Sequence, residues 1–136
     1  MPHTFPLRIL VAEDDRVSAI YLCKLLEKNG HLPKHAKNGN QVLKALENEY
    51  FDIVLMDIQM PEVDGLEATR RIRNSEDVFS SIPIIGVSAN QDPPARDICK
   101  DSGMNYFIPK PISMSLFEEA LWQIRNKSAF AGPHSH

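Results

Sequence analysis

Four polar signals in this chain each close an apolar run of strand character. Glu13-Asp14 follow Ile9-Leu10-Val11-Ala12, Asp57 follows Ile53-Val54-Leu55-Met56, Ser88 follows Ile84-Ile85-Gly86-Val87, and Lys110 follows Tyr106-Phe107-Ile108-Pro109. In an open parallel sheet the carboxyl ends of the strands face one crevice, so residues distant in sequence converge there. The cleft would then hold three carboxylates, a hydroxyl and an ammonium. Carboxylates so close repel one another unless a cation sits among them, and hard oxygen donors in this number suit Mg²⁺. Such a cleft suits the handling of a phosphoryl group.

The elements that must position these residues alternate regularly. Residues 8–12 read as a buried strand. Asp15 or a near neighbour caps a helix over 16–29, where Val17, Ile20, Tyr21 and Leu25 recur at helical spacing until Gly30 stops it. Residues 32–36 form the weakest strand, because Pro33 has no N–H to give to a ladder, which places it at the sheet edge. Asn38-Gly39 opens a short helix ending near Asn48, and residues 51–56 are the most apolar strand, hence central. Asp64-Gly65 precedes a helix over 66–73. Residues 74–81 read as an exposed connection, and 84–87 as the next strand. Pro93-Pro94 suit a helical first turn, with the helix running to Asp101 before Gly103. Residues 106–108 are a short fifth strand. A last helix begins near Ser113 or Ser115 and buries Leu116, Phe117, Ala120, Leu121 and Ile124. Strands alternating with helices in this way require right-handed crossovers and helices on both faces of a parallel sheet.

The bulk properties narrow the function classes. With 136 residues, 43% of them hydrophobic, the chain suits one domain with a real core. Lys plus Arg number 15 against 18 Asp plus Glu, a net charge of −3 without a basic footprint, which argues against direct nucleic-acid binding. Cys23 and Cys99 lack the spacing of a redox or zinc motif and read as structural thiols in a reducing compartment. No apolar run reaches the length of a membrane span, and residues 1–6 lack the regions of a signal peptide. A cytoplasmic protein without membrane contact is the expectation.

The segments Val11-Ala12-Glu13-Asp14-Asp15, Leu55-Met56-Asp57-Ile58-Gln59-Met60-Pro61-Glu62-Val63-Asp64-Gly65, Val87-Ser88-Ala89-Asn90, and Gly103-Met104 through Lys110-Pro111-Ile112 resemble the receiver domain of two-component response regulators. The match covers residues 7–127 and consists of four motifs in the right order and at compatible spacings. Residues 1–6 then read as an N-terminal extension and 128–136 as a disordered tail or an expression remnant. The resemblance implies a flavodoxin-like, doubly wound, five-stranded parallel α/β sheet of strand order 2-1-3-4-5. The last three motifs look more like receivers attached to hybrid histidine kinases than like those fused to DNA-binding output domains.

The resemblance also implies roles. Asp57 would be the phosphoacceptor, taking a phosphoryl group from a phosphohistidine on a histidine kinase or a histidine phosphotransfer protein. Asp14 would ligate Mg²⁺ directly, Glu13 through water, and Asp57 and the Gln59 backbone carbonyl would add further oxygens. Ser88 and Lys110 would bind phosphoryl oxygens and report phosphorylation to a downstream effector through Phe107, the switch aromatic. Ser in place of the commoner Thr, Phe in place of Tyr, and Tyr106 before the switch position depart from the usual pattern. Gln59 and Asn90 would flank the path of hydrolytic water and set the lifetime of the aspartyl phosphate. The chain would assist its own phosphorylation and dephosphorylation without being a turnover enzyme.

Each residue has a plainer reading beside this one. Asp57 alone would be a loop cap, Ser88 alone a turn hydroxyl, Phe107 a core aromatic, and Asp15 a helix cap rather than a metal ligand. His31 and His35 share the spacing of a helical metal pair, but Gly30 and Pro33 deny them a helix and leave them as solvated loop or edge residues. Two other function classes compete. A phosphate-independent interaction module would normally lack one of the acidic pair, the acceptor or the lysine, and all are present. A Mg²⁺-dependent aspartyl-phosphate phosphatase of the haloacid dehalogenase kind needs a second Asp two residues after the nucleophile, where this chain has Gln59. Flavin binding rests on fold analogy alone.

Overall fold

The computed structural model describes residues 6–60, 64–89 and 92–126. Five strands, β1 (Arg8–Ala12), β2 (Leu32–Ala36), β3 (Ile53–Asp57), β4 (Ile84–Ser88) and β5 (Tyr106–Pro109), alternate with five helices. The helices are α1 (Arg16–Lys28), α2 (Gly39–Asn48), α3 (Gly65–Arg73), α4 (Pro93–Ser102) and α5 (Met114–Arg125). All strand pairs are parallel, in the order β2-β1-β3-β4-β5. This is the flavodoxin-like fold. Pro33 lies on the outer strand β2, where one ladder partner suffices.

Alternation along the strands divides the core in two. Leu10, Val54, Met56, Ile84 and Phe107 pack with Val42, Leu46, Ala68, Ile72 and Cys99 beneath α2, α3 and α4. Ile9, Val11, Leu55, Ile85, Val87, Tyr106 and Ile108 pack with Leu22, Leu26, Phe117 and Leu121 beneath α1 and α5. Every residue of β3 and β4 is buried, as continuous apolar strands covered on both faces must be.

Four helix starts are capped by side chains, which fixes where each loop at the sheet's carboxyl edge ends. Asp15 accepts from the Ser18 amide, Asn38 from Gln41, Asp64 from Glu67 and Ser113 from Leu116. The connection after α3 departs from the sequence reading, because residues Val78–Ser81 coil into a 3₁₀ turn. Arg73 holds this turn, its guanidinium donating to the carbonyls of Ser80 and Gly103 and to the Asn105 amide oxygen, each at 2.8 Å. His31 also departs from expectation: it is buried, stacked edge-on against Phe117 at 5.7 Å, and its Nδ1 accepts from the Leu7 amide.

Tyr106 is buried beneath α5, and its hydroxyl donates to Glu119 Oε2 at 3.1 Å. Burial first, and then the neighbouring Glu119 carboxylate, push the phenol up to about 12, with Arg96 opposing. A raised folded-state value means that the stabilisation is complete below the ordinary value near 10 and is lost as pH climbs towards 12. Urea unfolding is expected to weaken by about 2 kcal/mol across that window. Tyr106→Phe should remove this part of the loss, leaving a loss of the same sign and at least equal size from buried Cys99, whose thiol is raised further, from 9.0 to about 12. An unaltered pH dependence in the Phe variant would contradict the assignment.

Candidate functional site

The first acidic residues are fixed where β1 hands over to α1. The Glu13 amide donates to the Ala36 carbonyl of β2 at 3.0 Å, extending the ladder one residue past β1. The Glu13 side chain then folds back, and Oε2 accepts from the Asp15 amide at 3.0 Å. Asp15 points away from the cleft, taking the Ser18 amide at 2.9 Å and its hydroxyl at 2.6 Å, and these bonds lower its carboxyl below the usual range. Asp14 lies between them and is exposed.

Asp57 ends the central strand and is buried, with 4% of its surface exposed. Its Oδ1 accepts from the Gln59 amide at 3.1 Å. The neighbouring loop is held from two sides, by Ile58 donating to the Val87 carbonyl and by the Gly65 amide donating to the Ile58 carbonyl. A Cβ placed on Gly65 would lie 2.1 Å from the Asp57 carbonyl oxygen, so α3 starts directly against the end of β3. At the end of β4, Ser88 is buried, and its carbonyl accepts from the Lys110 amide at 3.1 Å. Lys110 is thereby aimed back across the cleft. Its Nζ lies 3.1 Å from Asp57 Oδ2 and 3.2 Å from Glu13 Oε1.

Glu13 is desolvated, which raises its pKa; the Asp15 amide and Lys110 counter this, while Asp57 reinforces it. Burial by itself would lower Lys110, but the carboxylates of Asp57 and Glu13 more than offset this and hold the ammonium above its ordinary value. Lys110 is therefore a permanent cation, shared by two carboxylates. Oxygens of Glu13, Asp14 and Asp57 all lie within 4.8 Å of one another. One ammonium facing three carboxylates leaves negative charge uncompensated, and the donors are all hard oxygens, so the residues present fit a hexacoordinate Mg²⁺ better than a soft metal.

The structure thus brings Glu13, Asp14, Asp57, Ser88 and Lys110 to one edge of the sheet. Gln59 is at the rim, exposed. Phe107 lies below the cleft, fully buried beside Gly86, which it faces across the β4–β5 ladder. Asn90 falls outside the described residues, as do residues 1–5 and the proposed tail at 128–136.

Two features escaped the sequence reading. A cavity of about 580 Å³ opens beside Asp57 and Lys110 and is walled by Val17, Tyr21, Leu22 and Ile112. Val17 and Tyr21 form its exposed rim, and the helical spacing of residues 17 and 21 was legible while the outward direction of that stripe was not. The second is His35, half-buried near the end of β2, whose Nε2 lies 2.6 Å from the Glu13 carbonyl oxygen. Its period-2 position in an edge strand gave no sign that it reaches the acidic loop.

Comparison with known proteins agrees with this geometry. The profile of the response regulator receiver domain matches residues 9–121. The chain is 47% identical over 104 residues to the CAI-1 autoinducer sensor kinase/phosphatase CqsS of Vibrio cholerae, covering 76% of this chain and 15% of that protein. It is 42% identical over 130 residues to hybrid signal transduction histidine kinase H of Dictyostelium discoideum, covering 90% of this chain and 9% of that protein. It therefore spans a small fraction of these relatives. Among solved structures, the receiver domain of a Pseudomonas aeruginosa sensor histidine kinase, with a magnesium ion coordinated in its active site cleft, superposes with a TM-score of 0.78. That pair is 30% identical, and the alignment covers 90% of this chain and 99% of that one.

Proposed function

Because the chain belongs to the response regulator receiver family of two-component and phosphorelay signalling, we propose that Asp57 is its phosphoacceptor and that the cleft binds Mg²⁺. The observation that carries this reading is the shared ion-pair geometry, Lys110 Nζ at 3.1 Å from Asp57 and 3.2 Å from Glu13 beside exposed Asp14. An Asp57 oxygen attacks the phosphorus of a phosphohistidine, the N–P bond breaks with its electron pair going to the imidazole, and an aspartyl phosphate forms. When bound by Asp14, Asp57, the Gln59 carbonyl and, through water, Glu13, Mg²⁺ supplies charge neutralisation and polarises the phosphoryl oxygens. Lys110 moves its ammonium from the carboxylates to an arriving phosphoryl oxygen, and the Ser88 hydroxyl binds another. Gln59 and Asn90 shape the approach of the water that later hydrolyses the acyl phosphate, and neither is a strong general base.

Signalling would follow from contacts made better in the phosphorylated state, through Ser88 and Phe107. Phe107 is fully buried, and Gly86 leaves room for it and for Met104. Because Ser88 lacks the methyl group of Thr and Phe107 has no hydroxyl to desolvate, the inward rotamer would be populated in the resting chain, and discrimination by a downstream effector modest. The donor is proposed to be a histidine kinase or a histidine phosphotransfer protein docking over α1, where Val17, Ile20 and Tyr21 offer apolar surface next to the acceptor. The net charge of −3 does not favour nucleic acid as a partner. Among the described residues no helix is long and apolar enough to cross a membrane.

An acyl phosphate donor with Mg²⁺ tests this reading. One base-labile phosphoryl group per chain is expected by intact mass, with borohydride reduction converting residue 57 to homoserine. Chelation of the metal should slow labelling by about a hundredfold or more, several kcal/mol of charge stabilisation being lost. Labelling of a histidine or serine instead would overturn the proposal.

A further inference from the structure

His35 stands opposite Val11 in the β1–β2 register, so its side chain reaches the loop that leaves β1. The Glu13 carbonyl can only accept, so the Nε2 atom 2.6 Å away carries the ring proton and donates it. The Glu13 amide is tied to the same strand, donating to Ala36 at 3.0 Å. β2 therefore grips Glu13 from both of its peptide groups. The second of these peptides joins Glu13 to Asp14. It is planar, so fixing the direction of its carbonyl fixes the direction in which the chain enters Asp14. Glu13 has further anchors in the Asp15 amide and Lys110, whereas Asp14 is exposed and is aimed by its backbone.

We propose that His35 is a positioning residue for the cation site: its bond to the Glu13 carbonyl turns the Glu13–Asp14 peptide so that the Asp14 carboxylate meets those of Glu13 and Asp57. The inference rests on the Mg²⁺ reading above and adds a residue outside the acidic cluster to it. Outer partners of this kind typically change metal affinity by about tenfold or more when removed. The bond joins a ring nitrogen to a backbone carbonyl, neither of them among the oxygens assigned to the cation, so it preorganises the ligands from outside the site.

The test is direct binding in the absence of any phosphodonor. Mg²⁺ is titrated into nitrogen-15-labelled wild type, His35→Leu, His35→Gln and Asp14→Asn, following backbone amides of the β1–α1 loop, with urea midpoints measured alongside. His35→Leu is expected to weaken Mg²⁺ about tenfold with an unchanged midpoint, and His35→Gln, whose carboxamide N–H can reach the same carbonyl, to recover most of the loss. Equal affinity in His35→Leu and wild type overturns the inference, and so does a Gln variant as weak as the Leu variant. Should His35→Leu lose stability, the wild-type ring decides: nitrogen shifts must show the proton on Nε2, and a proton on Nδ1 alone overturns the assignment. Wild type failing to bind Mg²⁺, or Asp14→Asn binding it equally well, brings down the metal reading itself and the role of His35 with it.

Discussion

Asp57→Asn protein is expected to fold and to accept no phosphoryl group, from an acyl phosphate or from a phosphohistidine donor. The substitution preserves shape and keeps an oxygen to accept from the Gln59 amide, which sits 3.1 Å from Oδ1 in the native cleft. It removes the nucleophile, because a carboxamide oxygen forms no stable acyl phosphate under these conditions. Lys110 loses one partner yet retains Glu13 at 3.2 Å, so the half-buried ammonium keeps a counter-charge and the cost in stability is about 1 kcal/mol. Glu13 and Asp14 do not substitute for the acceptor: Glu13 is held by the Asp15 amide and Lys110, and Asp14 lies exposed at the rim. Intact-mass measurement after incubation with donor and Mg²⁺ gives the comparison. Equal labelling of wild type and Asp57→Asn would place the chemistry elsewhere and end the receiver mechanism as stated.

The strands and the acidic cleft were legible because two independent signals agreed at each point. Apolar runs such as Ile53-Val54-Leu55-Met56 admit only a buried strand in a chain of alternating elements, and a polar residue at the end of such a run must lie at the sheet's carboxyl edge. Pro33 placed β2 at the edge for a similar reason. Contacts made by single side chains were not legible. His31 was read as solvated because its neighbours Gly30 and Pro33 mark a loop, yet it is buried and accepts from the Leu7 amide. His35 looked like an edge residue and reaches the acidic loop. Arg73 carries no motif, but its fork ties together the Ser80 and Gly103 carbonyls and the Asn105 amide oxygen, which also accepts from the Ile84 amide. Tertiary packing decides such cases, and periodicity along the chain holds no record of it. Gly65 is intermediate: the Asp-Gly pair before α3 was visible, and the reason for glycine was not.

That reason makes Gly65→Ala the substitution with the largest expected structural effect. The added Cβ would sit 2.1 Å from the Asp57 carbonyl oxygen, 2.9 Å from the Ile58 Cα and 3.0 Å from the Asp57 carbonyl carbon. All three are backbone atoms at the end of a strand buried on both faces, so none can rotate aside. Relief requires α3 to move away from β3, breaking the 3.1 Å bond from the Gly65 amide to the Ile58 carbonyl. The cost should be about 3 kcal/mol or more, a large share of the stability of a domain this size. Asp57 would shift with its carbonyl, and a displacement near 1 Å at a reacting group can slow chemistry by about a hundredfold. Gly86→Ala makes the contrast. Its Cβ would approach the Met104 Sδ at 2.4 Å, but a thioether at the end of a flexible chain can yield, so about 1–2 kcal/mol is expected. Urea unfolding and the initial rate of phosphorylation, measured on both variants, should rank Gly65→Ala well below Gly86→Ala in each. A Gly65→Ala protein as stable as wild type and labelled as fast would show that the close approach of α3 to β3 does not hold the acceptor in place.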